Sequence, residues 1–342
     1  MIANIQVLRA VAALMIVAIH CGKLLRPLDI AVPWWPSAGV DIFFVISGFI
    51  MVHTSERTQP GAIQFLRDRL IRIVPVYWLF TGVMFGLVKA TGAFAVGPAD
   101  LLRSLLFIPY GPPTHFFPLL YVGWTLNLEI YFYALFAIGL ALVRDSLRRA
   151  ALVTAMIAVP VIAAPFLPRD SLLRFYGLPM VLEFPCGMAL ALLHGRIASM
   201  PRWVWPCLLA LGALLLIADP MLALTAEAFA RFGLPATLIV AGALAAEAQG
   251  WRLTHRAAQG LGAASYVLYV SHLLVISVFN NIQRRVDLFA SGPGAAALLA
   301  GALAAVVLFA LLAHRLIERP LGSWLRRTTP GGPGDRATIQ RG

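Results

Sequence analysis

The chain has 342 residues, of which 60% are hydrophobic and only 12% charged, and its mean hydropathy is +0.84. These values exclude a water-soluble domain with a polar exterior, an intrinsically disordered chain and a nucleic-acid-binding domain, and leave an integral membrane protein. The formal charge of +12 is therefore read loop by loop, as a statement about orientation in the bilayer. Cys21, Cys186 and Cys207 form no Cys-x-x-Cys pair, so neither a zinc site nor a disulfide framework is expected, and the expected metal content is none.

At about 20 residues per span the chain accommodates about ten transmembrane helices. Apolar stretches bounded by charge, Pro or Gly fall at 5–25, 36–55, 71–91, 119–143, 149–167, 171–194, 203–218, 231–247, 262–283 and 293–317. The stretch 149–167 is interrupted by Pro160 and Pro165, and 231–247 is short and opens on Gly233 and Pro235. The segment 98–118 carries Pro109, Pro112, Pro113 and Pro118 after a short apolar run, and reads as an interfacial helix with a loop. The first stretch holds Arg9 inside it and lacks a small-x-small cleavage site, so it reads as a retained helix. The fold class expected is an all-α membrane protein, with a membrane domain over 1–323 and a disordered cytoplasmic tail over 324–342, rich in Gly, Pro and charge. Placing the N-terminus inside collects most arginines on one side, including Arg57, Arg67, Arg69, Arg72, Arg144, Arg148 and Arg149. Both termini are then expected in the cytoplasm.

Ionisable groups within spans cost about 2.5–3.5 kcal/mol each on insertion scales, so each needs a reason. Arg9 and His20 are eleven residues apart on the first helix; at 100° per residue they share one face, about 16 Å apart along the axis. That stripe suits a long ligand, its anionic end near Arg9 and its reactive end near His20. A snorkelling Arg and a His satisfied by a neighbouring helix explain the same spacing. Glu129, on an antiparallel span, falls at roughly the depth of His20, where a carboxylate would hold the imidazole tautomer. A purely structural partner for Glu129 is equally compatible with that depth. Asp41 and Glu183 are further intramembrane acids. Arg69 and Arg72 stand on one face of a helix start and suit bidentate phosphate binding, although basic flanks of this kind are common on cytoplasmic loops. Ser265, Tyr269 and His272 share a face of a late span, with polar groups that either line a tunnel or join helices.

These residues sit in strings that resemble the membrane acyltransferase-3 family. Arg9 and His20 match its Arg-x10-His first helix, and Gly39-Val40-Asp41-Ile42-Phe43-Phe44-Val45-Ile46-Ser47-Gly48-Phe49 is similar to its second. Arg69-Leu70-Ile71-Arg72, followed by Pro75, Tyr77 and Trp78, resembles its Arg-x-x-Arg element, and Trp124-Thr125-Leu126-Asn127-Leu128-Glu129 its Trp-(Ser/Thr)-Leu-x-x-Glu element. Glu183-Phe184-Pro185-Cys186-Gly187, the run from Ser265 to His272, and Glu318-Arg319-Pro320 follow in family order. The short form resembles the succinoglycan-type exopolysaccharide acetyltransferases.

The resemblance implies a bacterial inner-membrane enzyme that moves an acyl group, usually acetyl from acetyl-CoA, to a hydroxyl of a surface glycan or lipid-linked saccharide. No permanently bound cofactor is implied; acyl-CoA is a donor substrate. The roles it implies are general base for His20 with Glu129 assisting, phosphate binding for Arg9, Arg69 and Arg72, and substrate or tunnel contacts for Asp41, Ser47, Trp124, Tyr269 and His272. Ser47, Trp124 and Tyr269 are alternative oxyanion donors. Transfer is expected to be direct, with an acyl-His20 relay as the other route; Cys21 projects about 100° away from His20 and is not expected to carry the acyl group. The competing readings are a transporter or flippase of a saccharide or small anion, for which matching broken helices are lacking, and a structural subunit, which would leave Arg9, His20 and Glu129 without a task.

Overall fold

A computed structural model describes residues 2–109, 117–168, 171–222, 229–286 and 292–328, and among the described residues all regular structure is helical. The principal helices are α1 (Ala3–His20), α2 (Gly39–Thr58), α3 (Ala62–Thr91), α4 (Pro98–Leu105), α5 (Gly123–Leu142), α6 (Ser146–Ala163), α7 (Glu183–Leu192), α8 (Val204–Leu222), α9 (Leu234–Ala248), α10 (Arg256–Ala263), α11 (Ser265–Arg285), α12 (Gly292–Ala313) and α13 (Arg319–Thr328). A chain in hydrocarbon must satisfy its backbone internally, and helices do so within each segment.

Eight helical stretches among the described residues are long and apolar enough to cross a membrane, with two shorter apolar helices at Pro179–Leu192 and Val204–Ala218. The eight coincide with eight of the ten expected spans, and the shorter two lie within the stretches 171–194 and 203–218. The 171–194 stretch does not form one helix: Leu172–Tyr176, Pro179–Leu182 and α7 follow one another, and Gly177 and Pro179 stand at the breaks. The segment after α3 forms the short helix α4, fastened to α3 by the Trp78 indole N–H, which donates to the Leu105 carbonyl at 2.8 Å. Residues 110–116 of the expected loop lie outside the described residues. So does most of the expected tail; its first residues, 324–328, are the end of α13.

The outer surface is apolar. Val159, Ile162 and Leu308 are exposed on helices of membrane-spanning length, and Leu214 and Ile217 on the shorter apolar helix α8. Between helices, where lipid is as apolar as Leu, small residues allow the close approach that packing needs. One such seam joins α2 to α7: a Cβ on Gly48 would collide with the Phe184 carbonyl, and one on Gly187 with the Val45 carbonyl. Phe184 then stacks between Phe44 and Phe132, with centroids 4.5 and 4.3 Å away, which ties α2, α7 and α5 together. Gly212 and Gly242 serve the α8–α9 seam in the same way.

Helix α1 is the central element and packs against α2, α9, α10 and α11. Its start is locked by Glu247 of α9, which accepts from the backbone N–H groups of Ala3 and Asn4 at 2.9 and 2.6 Å. A carboxylate at this point satisfies orphan donors and complements the helix dipole. The Asn4 amide donates to the carbonyls of Ala243 and Trp251 and accepts from the Leu253 N–H. These bonds fix the height of α1, and with it the depths of Arg9 and His20.

Replacing Gly187 with Ala should cost about 1–3 kcal/mol, because the added methyl must push two helix backbones apart. Gly86→Ala, whose Cβ meets nothing within 4 Å, should change stability by less than about 0.5 kcal/mol. Thermal unfolding of the two purified variants in detergent checks the contrast.

Candidate active site

A cavity of about 400 Å³ runs inside the bundle between α1, α2, α3, α5 and α11. Arg57 and Thr58, both exposed, line one end of it, and Thr125 and Tyr269 belong to its lining deeper in the bundle. Arg9, Ser47, Arg69, Arg72, Glu129 and Tyr269 are all among its walls. Six of the residues singled out from the sequence, carried by five helices, thus face one space. The apolar remainder of the wall includes Val40, Phe43, Ile50 and Leu126.

The cavity is cationic at one level and has a single carboxylate there. Arg9 donates to the Gln6 side chain at 3.3 Å and feels Arg72 as a like charge and Glu129 as an opposite one. Arg69 donates to the Thr54 hydroxyl at 3.3 Å, and its guanidinium lies 5.6 Å from the Phe65 ring centroid. Glu129 accepts from Ser47 at 3.2 Å and from the Tyr133 phenol at 2.5 Å. Four guanidiniums, those of Arg9, Arg57, Arg69 and Arg72, line the cavity against the one carboxylate of Glu129, a positive balance that suits an anionic ligand. The Ser265 hydroxyl is fully buried, lines the same cavity and has no partner among the described residues.

His20 and His272 are not part of that lining. They form a separate pair beyond Tyr269, whose ring centroid is 6.1 Å from that of His272. Nε2 of His272 lies 3.2 Å from Nδ1 of His20. Nδ1 of His20 is also 2.8 Å from the Ile16 carbonyl, and Nδ1 of His272 is 3.2 Å from the Leu268 carbonyl. A carbonyl only accepts, so both Nδ1 atoms carry the proton in neutral rings, and Nε2 of His20 keeps its lone pair. That Nε2 has no hydrogen-bond partner among the described residues. The Tyr121 ring, 43% exposed, meets His20 edge-on at 6.1 Å.

The depth match between His20 and Glu129 is therefore not realised as a contact: His20 finds His272, and Glu129 finds Ser47 and Tyr133. Depth fixes height but not rotation, and α5 turns Glu129 toward the arginines. The Trp124 ring is 6.5 Å from Phe117 and stands outside the cavity lining. Asp41 also lies outside it, 4% exposed. Its carboxyl is a neighbour of that of Glu183, which is fully buried. Neither Glu183 oxygen has a hydrogen-bond partner among the described residues, and two carboxyls buried side by side repel each other when both are ionised. Asp41 holds α2 to α7 and does not touch the cavity. Tyr133 was not among the sequence candidates, although its i+4 spacing from Glu129 places both on one helical face. His53, also on the cavity wall, pairs edge-on with His194 at 5.6 Å, and no local sequence signal announces that pairing.

Asp41→Asn supplies a donor toward Glu183 and should leave the melting temperature in detergent nearly unchanged. Asp41→Ala strands a buried carboxyl and should cost about 1–3 kcal/mol.

Comparison with known proteins gives two matches. Residues 2–314 match the family model described as an acyltransferase domain. The chain is 37% identical over 311 residues to the exopolysaccharide production protein ExoZ of Rhizobium meliloti (strain 1021), covering 88% of this chain and 95% of that one. No solved structure matches.

Proposed function

On the premise that this chain belongs to the acyltransferase-3 family, we propose that it transfers an acyl group, acetyl in the first instance, from acyl-CoA to a hydroxyl of an exopolysaccharide or its lipid-linked precursor. The printed name of the ExoZ relative supports the acceptor class. The observation that carries the donor assignment is the convergence of Arg9, Arg69 and Arg72 on one cavity whose remaining wall is largely apolar. Guanidiniums grip phosphates bidentately, and an apolar channel accepts the pantetheine arm.

In this reading the arginine-lined end faces the cytoplasm of a bacterial inner membrane, where acyl-CoA is found, and both termini lie on that side. The thioester is drawn past Tyr269 toward His20. Nε2 of His20, the unpartnered lone pair, takes the proton from the acceptor hydroxyl. The oxygen attacks the thioester carbonyl, the C–S bond breaks, and the CoA thiolate leaves with the proton returned from His20. Transfer is direct, and Cys21 takes no part. Glu129 acts as counter-ion to the arginines and, through Ser47 and Tyr133, holds the cavity wall in shape. Membership of a family of transferases and an imidazole beyond a cationic cavity favour this chemistry over transport.

Membranes carrying the protein, given labelled acetyl-CoA and the glycan fraction, should transfer label to glycan. His20→Ala should lower turnover by about 100-fold or more, within the range of general-base catalysis. Arg69→Ala should raise the donor KM about tenfold with a smaller change in kcat, the size of one charge-assisted hydrogen bond. Cys21→Ser should keep most of the activity. Label that crosses the membrane without entering glycan would refute the proposal in favour of transport.

A further inference from the structure

We propose that His272 is the positioning partner of His20, doing for it what a carboxylate does in other base dyads. The inference rests on the acyl-transfer reading and extends it to a residue that the sequence assigned only to the tunnel wall.

The argument begins with the backbone. Each histidine places Nδ1 against the carbonyl four residues earlier on its own helix, at 2.8 Å for Ile16 and 3.2 Å for Leu268. That fixes both rings in the Nδ1–H form. His272 therefore presents the lone pair of Nε2, and it presents it to Nδ1–H of His20 at 3.2 Å. The His20 proton is shared between a carbonyl and an imidazole, both acceptors. His272 is completely buried, held between its own helix and α1, so its acceptor cannot turn away to water. The ring centroids are 4.9 Å apart.

The consequence appears when His20 takes the acceptor's proton. The O–H bond of the acceptor breaks, Nε2 of His20 gains the hydrogen, and the ring becomes an imidazolium. Its Nδ1–H then points at the Nε2 lone pair of a neutral imidazole, and a neutral hydrogen bond becomes a charge-assisted one. The stabilisation arises during proton transfer and not in the resting enzyme, which is the condition for raising kcat. When the thiolate leaves, the same proton returns from Nε2 of His20 and the pair resets. His272 never touches substrate. A neutral partner also spares the membrane interior a second buried charge beside His20, whereas Glu129 is kept among the arginines that balance it.

The test compares two substitutions that differ in reach. In His272→Gln the amide oxygen takes the place of Nε2 and still accepts from His20. In His272→Asn the shorter side chain retains a polar group near Leu268 but falls short of His20. The expected result is that Gln keeps kcat within about fivefold of wild type, while Asn lowers it about 10- to 100-fold, the range of one charge-assisted hydrogen bond. Donor KM should stay within about twofold in both. Equal losses in Gln and Asn, or a loss confined to donor KM, would overturn the assignment. A second measurement needs no variant to be active: ring 15N resonances of the histidine-labelled wild-type protein, in detergent or bilayers. Protons on both Nδ1 atoms and lone pairs on both Nε2 atoms support the pairing, and a proton on Nε2 of His272 refutes it. If the wild type transfers no acyl group, the acyl-transfer reading fails, while the resonances still decide whether the pairing exists.

Discussion

A polar group carried into hydrocarbon has to find its partner inside the bundle, because no water is available to replace one. Most of the interior arrangement of this protein follows from that requirement. Glu247 of α9 occupies the first backbone donors of α1, and the carboxyls of Asp41 on α2 and Glu183 on α7 are brought side by side. The phenol of Tyr266 on α11 reaches the Ile73 carbonyl of α3 at 2.6 Å, and Tyr269 reaches the Val122 carbonyl ahead of α5 at 3.0 Å. Each of these bonds joins two elements that apolar contact alone would leave free to slide. Helix α1, which bears both Arg9 and His20, is held at its start and flanked on several sides, so the separation between its two polar residues becomes a fixed dimension of the cavity and the pair beyond it.

That dimension separates two kinds of chemistry. The arginines and Glu129 share a partly open cavity whose charge balance is positive. The histidines meet in a closer space above it, with Tyr269 between the two regions. The arginines line the cavity and the histidines do not; a guanidinium beside either imidazole would oppose its protonation. The family assignment adds acyl transfer to this geometry.

Much of this was legible in the chain. Composition required a membrane protein, and apolar run lengths located eight helices that the structure forms at the expected positions. The eleven-residue spacing put Arg9 and His20 on one face, and the strings around Arg69, Arg72 and Glu129 led to the cavity's polar wall. The break within 171–194 was harder to see, because hydropathy averages over Gly177 and Pro179 while the backbone cannot. The fate of Asp41 was also hidden: an acid in a span reads as a ligand contact until the helix carrying Glu183 is known to pack against it.

What the sequence determined by itself was therefore one-dimensional: which segments enter the membrane, how deep each polar residue lies, and which residues share a helix face. Periodicity and rise per residue are properties of a single helix, so they survive without any neighbour. Only the tertiary structure decided who meets whom. The rotation of one helix against another is set by where Gly48, Gly187 and the other small residues let backbones touch, and that choice belongs to two segments at once. It turned Glu129 toward the arginines and brought His272, 252 residues away in the chain, against His20.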